Sequence, residues 1–155
     1  MENGEFVRKA IGIAIKNVEE GGGPFGAVVV KDGRVIATSG NKVTLSNDPT
    51  AHAEVLAIRE AASRLGTWDL SGCVLYTSCE PCPMCFGAIY WAHLDKVHYA
   101  CTHEDAKDAG FDDSHIYSEL KKDPSHRTIE MEQVMRDEGL KAFQKWKEHP
   151  GKEEY

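Results

Sequence analysis

Long apolar runs are missing from this sequence. Nothing in its 155 residues approaches the ~20 consecutive apolar residues of a membrane span, so no transmembrane helix is expected. Basic charge is scarce as well: 18 Lys and Arg stand against 25 Asp and Glu, a formal net charge of −7. No basic run interrupts the acidic excess. Phosphate backbones are repelled by such a surface, which argues against a nucleic-acid partner and for a small neutral substrate. Met1-Glu2-Asn3-Gly4-Glu5 lacks the positive start and apolar middle of a secretory signal, so a cytoplasmic protein is expected. Repeats and low-complexity segments are also missing, and no linker is needed. Residues 1–155 are expected to form one domain, long enough to bury its own core.

Cysteine is present in an odd number, five, which cannot all pair. In a reducing compartment they read as ligands or as buried thiols. Cys73, Cys79 and Cys101 lie in apolar, strand-like runs, where a small buried side chain is the plain expectation. Cys82 and Cys85 differ, because they are separated by a two-residue gap among prolines in Pro81-Cys82-Pro83-Met84-Cys85. Upstream, at a distance one helix and one strand would fill, stands His52-Ala53-Glu54.

One imidazole, two thiols and a spare carboxylate form the donor set of a catalytic zinc site rather than a structural one. A structural site would close with a fourth protein ligand; here the fourth position is left to water, and Glu54 is near enough in sequence to handle that water's protons. Two thiolates cancel the formal charge of the ion, so the water is acidified less than at a three-histidine site and needs a base. The competing reading is a zinc knuckle closed by Cys79, which however lies on the strand side of Pro81. Glu54 as an ordinary solvated helix carboxylate is a second plain reading.

Periodicity places these motifs on elements. Val7, Ala10, Ile11, Ala14, Ile15 and Val18 recur at three and four and predict an amphipathic helix over 5–20, ended by Gly21-Gly22-Gly23-Pro24. Ala27–Val30 and Arg34–Thr38 predict a hairpin turned by Asp32-Gly33. Residues 41–49 read as a polar loop, with Asp48 or Thr50 capping a helix that runs from Ala51 to Gly66. His52 and Glu54 then occupy its opening turn; about 200° apart around the axis, both still lean toward the N-terminus and can reach one site in front of it.

Cys73–Ser78 is a short strand, and Pro83 begins a helix carrying Cys85, Ile89, Trp91 and Ala92, whose start favours thiolate over thiol. Lys96–Cys101 is another strand, 106–120 a mixed segment, Thr128–Val134 an edge strand by alternation, and Leu140–Trp146 a short helix broken at His149-Pro150-Gly151. This order predicts an α/β fold, a three-layer α/β/α sandwich around a central mixed sheet.

The H-x-E and P-C-x-x-C pair is the known signature of zinc deaminases. With GGGPFGAVVVKDG, NDPTAHAEVLAIREA, YTSCEPCPMCFGAIYWA, AGFDDSHIY and a final tyrosine, essentially the whole chain resembles the cytidine deaminase-like superfamily, and within it the short bacterial guanine deaminases. The resemblance implies the cytidine deaminase-like fold and hydrolytic deamination of guanine to xanthine and ammonia. It implies one zinc ion held by His52, Cys82 and Cys85, with Glu54 as proton shuttle. It makes Asn41 the amide that reads the purine edge, and Phe25 and Trp91 the walls of the base pocket. Asp113 and Tyr155 complete that pocket, Asp113 as a second proton carrier, and both come from the neighbouring subunit of a homodimer that exchanges C-terminal segments (about 101–155).

Plainer readings stand beside these: Phe25 and Trp91 as core, Asp112 or Asp113 as a cap or turn, and Tyr155 as a frayed end. His93, His98, His103, His115, His126 and His149 lack ligand spacing. His93-Leu94 departs from the family pattern of an arginine and a proline, which bears on the dimer contact. Guanosine, cytosine and a tRNA adenosine remain as rival substrates, and a non-catalytic zinc module as a rival of another class.

Overall fold

A computed structural model describes residues 3–155; Met1 and Glu2, part of the start read above, lie outside them. The chain divides into two compact units, one through Asp113 and one from Ser114. The first unit contains α1 (Asn3–Glu19), β1 (Gly26–Lys31), β2 (Arg34–Gly40), α2 (Val43–Ser46), α3 (Ala53–Leu65), β3 (Cys73–Cys79), α4 (Pro83–Trp91), β4 (Lys96–Cys101) and α5 (His103–Asp108). Its sheet runs in the order β2-β1-β3-β4. The β1 strand is antiparallel to both β2 and β3, and β3 is parallel to β4, so the sheet is mixed.

Two central strands explain the layering. Successive side chains on β1 alternate sides: Ala27 and Val29 pack with Ala53, Ala57 and Ala61 of α3 and Ile89 of α4, while Val28 and Val30 pack with Phe6 and Ala10 of α1. A strand covered on both faces must be apolar throughout, as the Ala27-Val28-Val29-Val30 run is. The predicted sandwich is thus observed, with α1 on one side and α3 and α4 on the other. The hairpin turn is also as predicted: Asp32 and Gly33 both take positive φ, 50° and 75°, which matches the twist of the flanking strands.

The buried face of α1 is only partly the predicted one: Ala10 and Ala14 belong to it, Ile15 and Val18 do not. Phe6, Ala10, Ala14 and Asn17 are buried, whereas Ile15 and Val18 are 59% and 51% exposed. Small residues bring the helix close to the sheet. Gly26 is the point of closest approach, since a β-carbon there would collide with the backbone of Ala10 and Ala14. Gly26→Ala is therefore expected to destabilise the fold by about 1–3 kcal/mol, read as a lower urea midpoint with unchanged slope. The excluded stripe, Ile11, Ile15 and Val18, lines a cavity of about 330 Å³ with Phe25, Cys79 and Phe111.

Other corrections are local. Residues 41–49 are not all loop, because α2 forms within them. Neither Asp48 nor Thr50 caps α3; the cap position is His52, and Asp48 Oδ1 instead accepts from Thr50 N and Thr50 Oγ1 at 2.9 and 2.7 Å, bending the chain toward the helix. Cys73 and Cys79 are buried as expected, but Cys101 is exposed, because β4 is the outer strand of the sheet.

The second unit contains α6 (Ser114–Leu120), a 3-10 turn (Pro124–His126) and α7 (Arg136–Glu148). Thr128–Val134 is not a strand, despite its alternation. Thr128 N donates to Glu119 Oε1 at 3.1 Å and its hydroxyl bonds the same carboxylate, which ties this stretch back to α6 rather than to a sheet. The last helix extends further at both ends than the predicted 140–146. Among the described residues no helix is long and apolar enough to cross a membrane.

Candidate metal centre

Two helix starts supply the donors. His52 is the N-cap of α3, with extended backbone (φ −70°, ψ 150°), and Cys82 is the N-cap of α4 (φ −68°, ψ 172°). An N-cap residue lies half outside the helix, so the 200° offset between positions 52 and 54 within a helix does not apply to His52. Pro83 follows in the first turn of α4, where its missing N–H costs nothing. Cys85, one turn on, is fully buried.

The three donors meet. His52 Nδ1 lies 3.4 Å from Cys82 Sγ and 3.5 Å from Cys85 Sγ, and all three ligand atoms lie within 4.8 Å of one another. A tetrahedral zinc ion with ordinary bond lengths separates nitrogen from sulfur ligands by about 3.5 Å. The observed spacing fits that ion. Among the described residues no fourth His, Cys, Asp or Glu joins the cluster. Cys79, the candidate for closing a knuckle, has its thiol turned to Thr102 O at 3.5 Å, and burial pushes it up to about 11, so it is a neutral structural thiol.

Electrostatics follow from this crowding. Hydrogen bonding to Cys82 raises His52 above the usual imidazole range, against the effect of burial. Cys82 and Cys85 titrate as a pair: hydrogen bonds from Cys85 and His52 hold Cys82 low, while Cys82 and burial push Cys85 up. Both are thiolates once they ligate a metal. Glu54 is 7% exposed; burial raises its carboxyl, against hydrogen bonding to Cys85. The acid thus stands beside a ligand without belonging to the set.

The remaining predicted residues are placed as follows. Asn41, at the exit of β2, is buried, and its Oδ1 accepts from Val43 N at 3.0 Å, which leaves Nδ2 as the donating end of the amide. Phe25 is half-buried against the sheet core and meets Phe111 edge to face at 5.0 Å. Trp91, the last residue of α4, is 65% exposed, so the plain-core reading fails for it. Asp113 lies close enough to Cys82 and His103 to feel their charges, and burial raises its carboxyl. Tyr155 ends the second unit and is exposed.

Sequence reasoning overlooked two groups. His103 donates its backbone N–H to Glu80 Oε1 at 3.0 Å and pairs through Nδ1 at 2.7 Å, so Glu80 lifts the imidazole above its usual value. No spacing rule would have found that pair. Asn17 did leave a signal: it falls three residues after Ala14, on the buried face of α1, where an amide interrupts small apolar residues.

Comparison with known proteins agrees with this centre. The family model described as the cytidine and deoxycytidylate deaminase zinc-binding region matches residues 1–101. A guanine deaminase of Bacillus subtilis is 55% identical over all of both chains. The crystal structure of a Bacillus subtilis guanine deaminase superposes with a TM-score of 0.98 at 55% identity, covering 100% of this chain and 99% of that one. A tRNA-specific adenosine deaminase of Aquifex aeolicus is 44% identical over 61% of this chain and 63% of its own length. With the matched region running through both helix starts that bear the donors, the chain belongs to the cytidine and deoxycytidylate deaminase family of zinc-binding enzymes.

Proposed function

We propose that the chain hydrolyses guanine to xanthine and ammonia, acting on a cyclic amidine in purine catabolism or salvage. One observation carries the choice of base: similarity to a guanine deaminase runs the full length of both chains, whereas similarity to the tRNA-specific enzyme stops at 61% of this one. The net charge of −7 also disfavours a polyanionic substrate.

His52, Cys82 and Cys85 would hold one zinc ion, which when bound supplies Lewis acidity and lowers the pKa of the attacking water. Glu54 moves the protons. Its burial-raised carboxyl is tuned in the direction a neutral-pH base requires. It takes a proton from water and passes it to the ring nitrogen next to the amine-bearing carbon as the C–O bond forms; it then takes the second proton from the added hydroxyl and delivers it to the amine, so that ammonia leaves as the C–N bond breaks and the carbonyl forms. Asn41 donates through Nδ2 to the purine edge, and Phe25 and Trp91 wall the base. Asp113, raised by burial, is the second proton carrier, and Tyr155 completes the pocket.

The working form is a cytoplasmic homodimer that exchanges C-terminal segments. Phe86, Tyr90, Trp91 and Tyr99 of α4 and β4 are all at least half exposed, an apolar surface that a second copy would cover. Asp113 already stands near Cys82 of its own chain; exchange would substitute the same residue from the second copy.

Turnover on guanine, guanosine and cytosine tests the substrate. Guanine is expected to exceed both in kcat/KM by about 10²-fold or more. Equal or greater activity on guanosine would overturn the choice, as would tight, salt-dependent binding to tRNA.

A further inference from the structure

Asn17 sits in the last turn of α1 and is 2% exposed. A buried side-chain amide must find partners, and those of Asn17 lie outside its own helix. Its Nδ2 donates to Gly23 O at 2.7 Å and to Asn41 O at 2.8 Å, and its Oδ1 accepts from Lys42 Nζ at 3.1 Å. Its backbone carbonyl accepts from Gly22 N at 2.8 Å. Both donors and the oxygen of the side chain are engaged by two segments: the 21–24 loop and the exit of β2.

Glycines make the room. A β-carbon at Gly22 or Gly40 would collide with the Asn17 amide, and one at Gly23 would press on the Asn41 side chain at 3.3 Å. The two segments so gathered carry Phe25 and Asn41, which are themselves linked, Asn41 N donating to Phe25 O at 3.1 Å. Asn41 is therefore held by its carbonyl through Asn17 and by its side-chain oxygen through Val43. Both anchors together fix where its remaining donor lies.

We propose that Asn17 is a positioning residue for base recognition, setting the places of Asn41 and Phe25 from behind, without touching substrate. This rests on Asn41 being the amide that reads the base. A residue of this kind acts on substrate binding, and it acts through Asn41. A merely structural amide would lower stability and leave KM alone.

The test uses the full-length zinc-loaded protein with guanine as probe and four variants: Asn17→Asp, Asn17→Ala, Asn41→Ala and the double alanine variant. Asn17→Asp keeps the volume and the Lys42 partner but removes both donated bonds. Each Asn17 variant is expected to raise KM about tenfold with kcat changed less than about threefold and zinc content unchanged. The double variant should be no worse than Asn41→Ala alone, since the effect travels through that residue. Unchanged KM in Asn17→Asp, or effects of Asn17→Ala and Asn41→Ala that multiply, would overturn the proposal. Failure of both Asn17 variants to fold would do so too, by assigning the amide to stability alone. If Asn41→Ala leaves KM for guanine unchanged, the reading of Asn41 fails instead, and the proposal with it.

Discussion

The Glu54→Gln variant is expected to keep one zinc ion per chain and to lose about 10²–10⁴-fold in turnover, the range for removing a positioned acid–base group. The two halves of that result have separate causes. Glutamine matches the shape of Glu54, and the ligand cluster of His52, Cys82 and Cys85 is complete without it, so the metal stays. The amide cannot accept and return a proton, so water activation and protonation of the leaving amine both stop. Burial strengthens the expectation, because a 7% exposed carboxylate cannot readily be replaced by bulk water as a base. Zinc analysis beside a guanine assay checks both halves. A variant that stays active would favour a non-catalytic zinc module, and one that loses zinc would make Glu54 part of the binding shell.

The Cys82→Ala variant is expected to lose its metal and all measurable turnover. Loss of an outer partner of a ligand already costs about 10–100-fold in metal affinity, and Cys82 is one of the three donors placed to hold the ion. Only His52 and Cys85 would remain, which is too few for zinc. Because metal binds the folded state, a chelator should lower the melting temperature of the unaltered protein and leave that of Cys82→Ala unchanged. Full zinc retention by the variant would mean that a fourth protein ligand exists.

The ligand triad was legible in the sequence because its chemistry is written in short, local spacings: Cys-x-x-Cys with Pro83 fixes two donors on one helix start, and His-x-Glu fixes the third beside its acid. The apolar run of β1 and the Asp32-Gly33 turn made the sheet legible in the same way. What failed were inferences that need a partner to be correct. Alternation in Thr128–Val134 describes a strand only if a neighbouring edge accepts it, and Thr128 bonds Glu119 instead. In α1 the predicted stripe held Ala10 and Ala14, which are buried, but the close approach at Gly26 leaves its larger members Ile15 and Val18 outside and brings Phe6 and Asn17 in. Cys101 looked buried because its run is apolar, which says nothing about lying on the outer strand. Asn17 is marked by its spacing from Ala14 as a buried amide, but its partners among residues 22–42 are distant in sequence and no local pattern names them.

Two of the three donors, His52 and Cys82, are the residues at which α3 and α4 begin. The centre is consequently indexed to where those helices start and is indifferent to how long they run. Adding or deleting residues near Gly66 or Ala92, at the far ends, would leave the triad in register. A single insertion between Pro83 and Cys85 would swing one sulfur by about 100° around the axis and dismantle it.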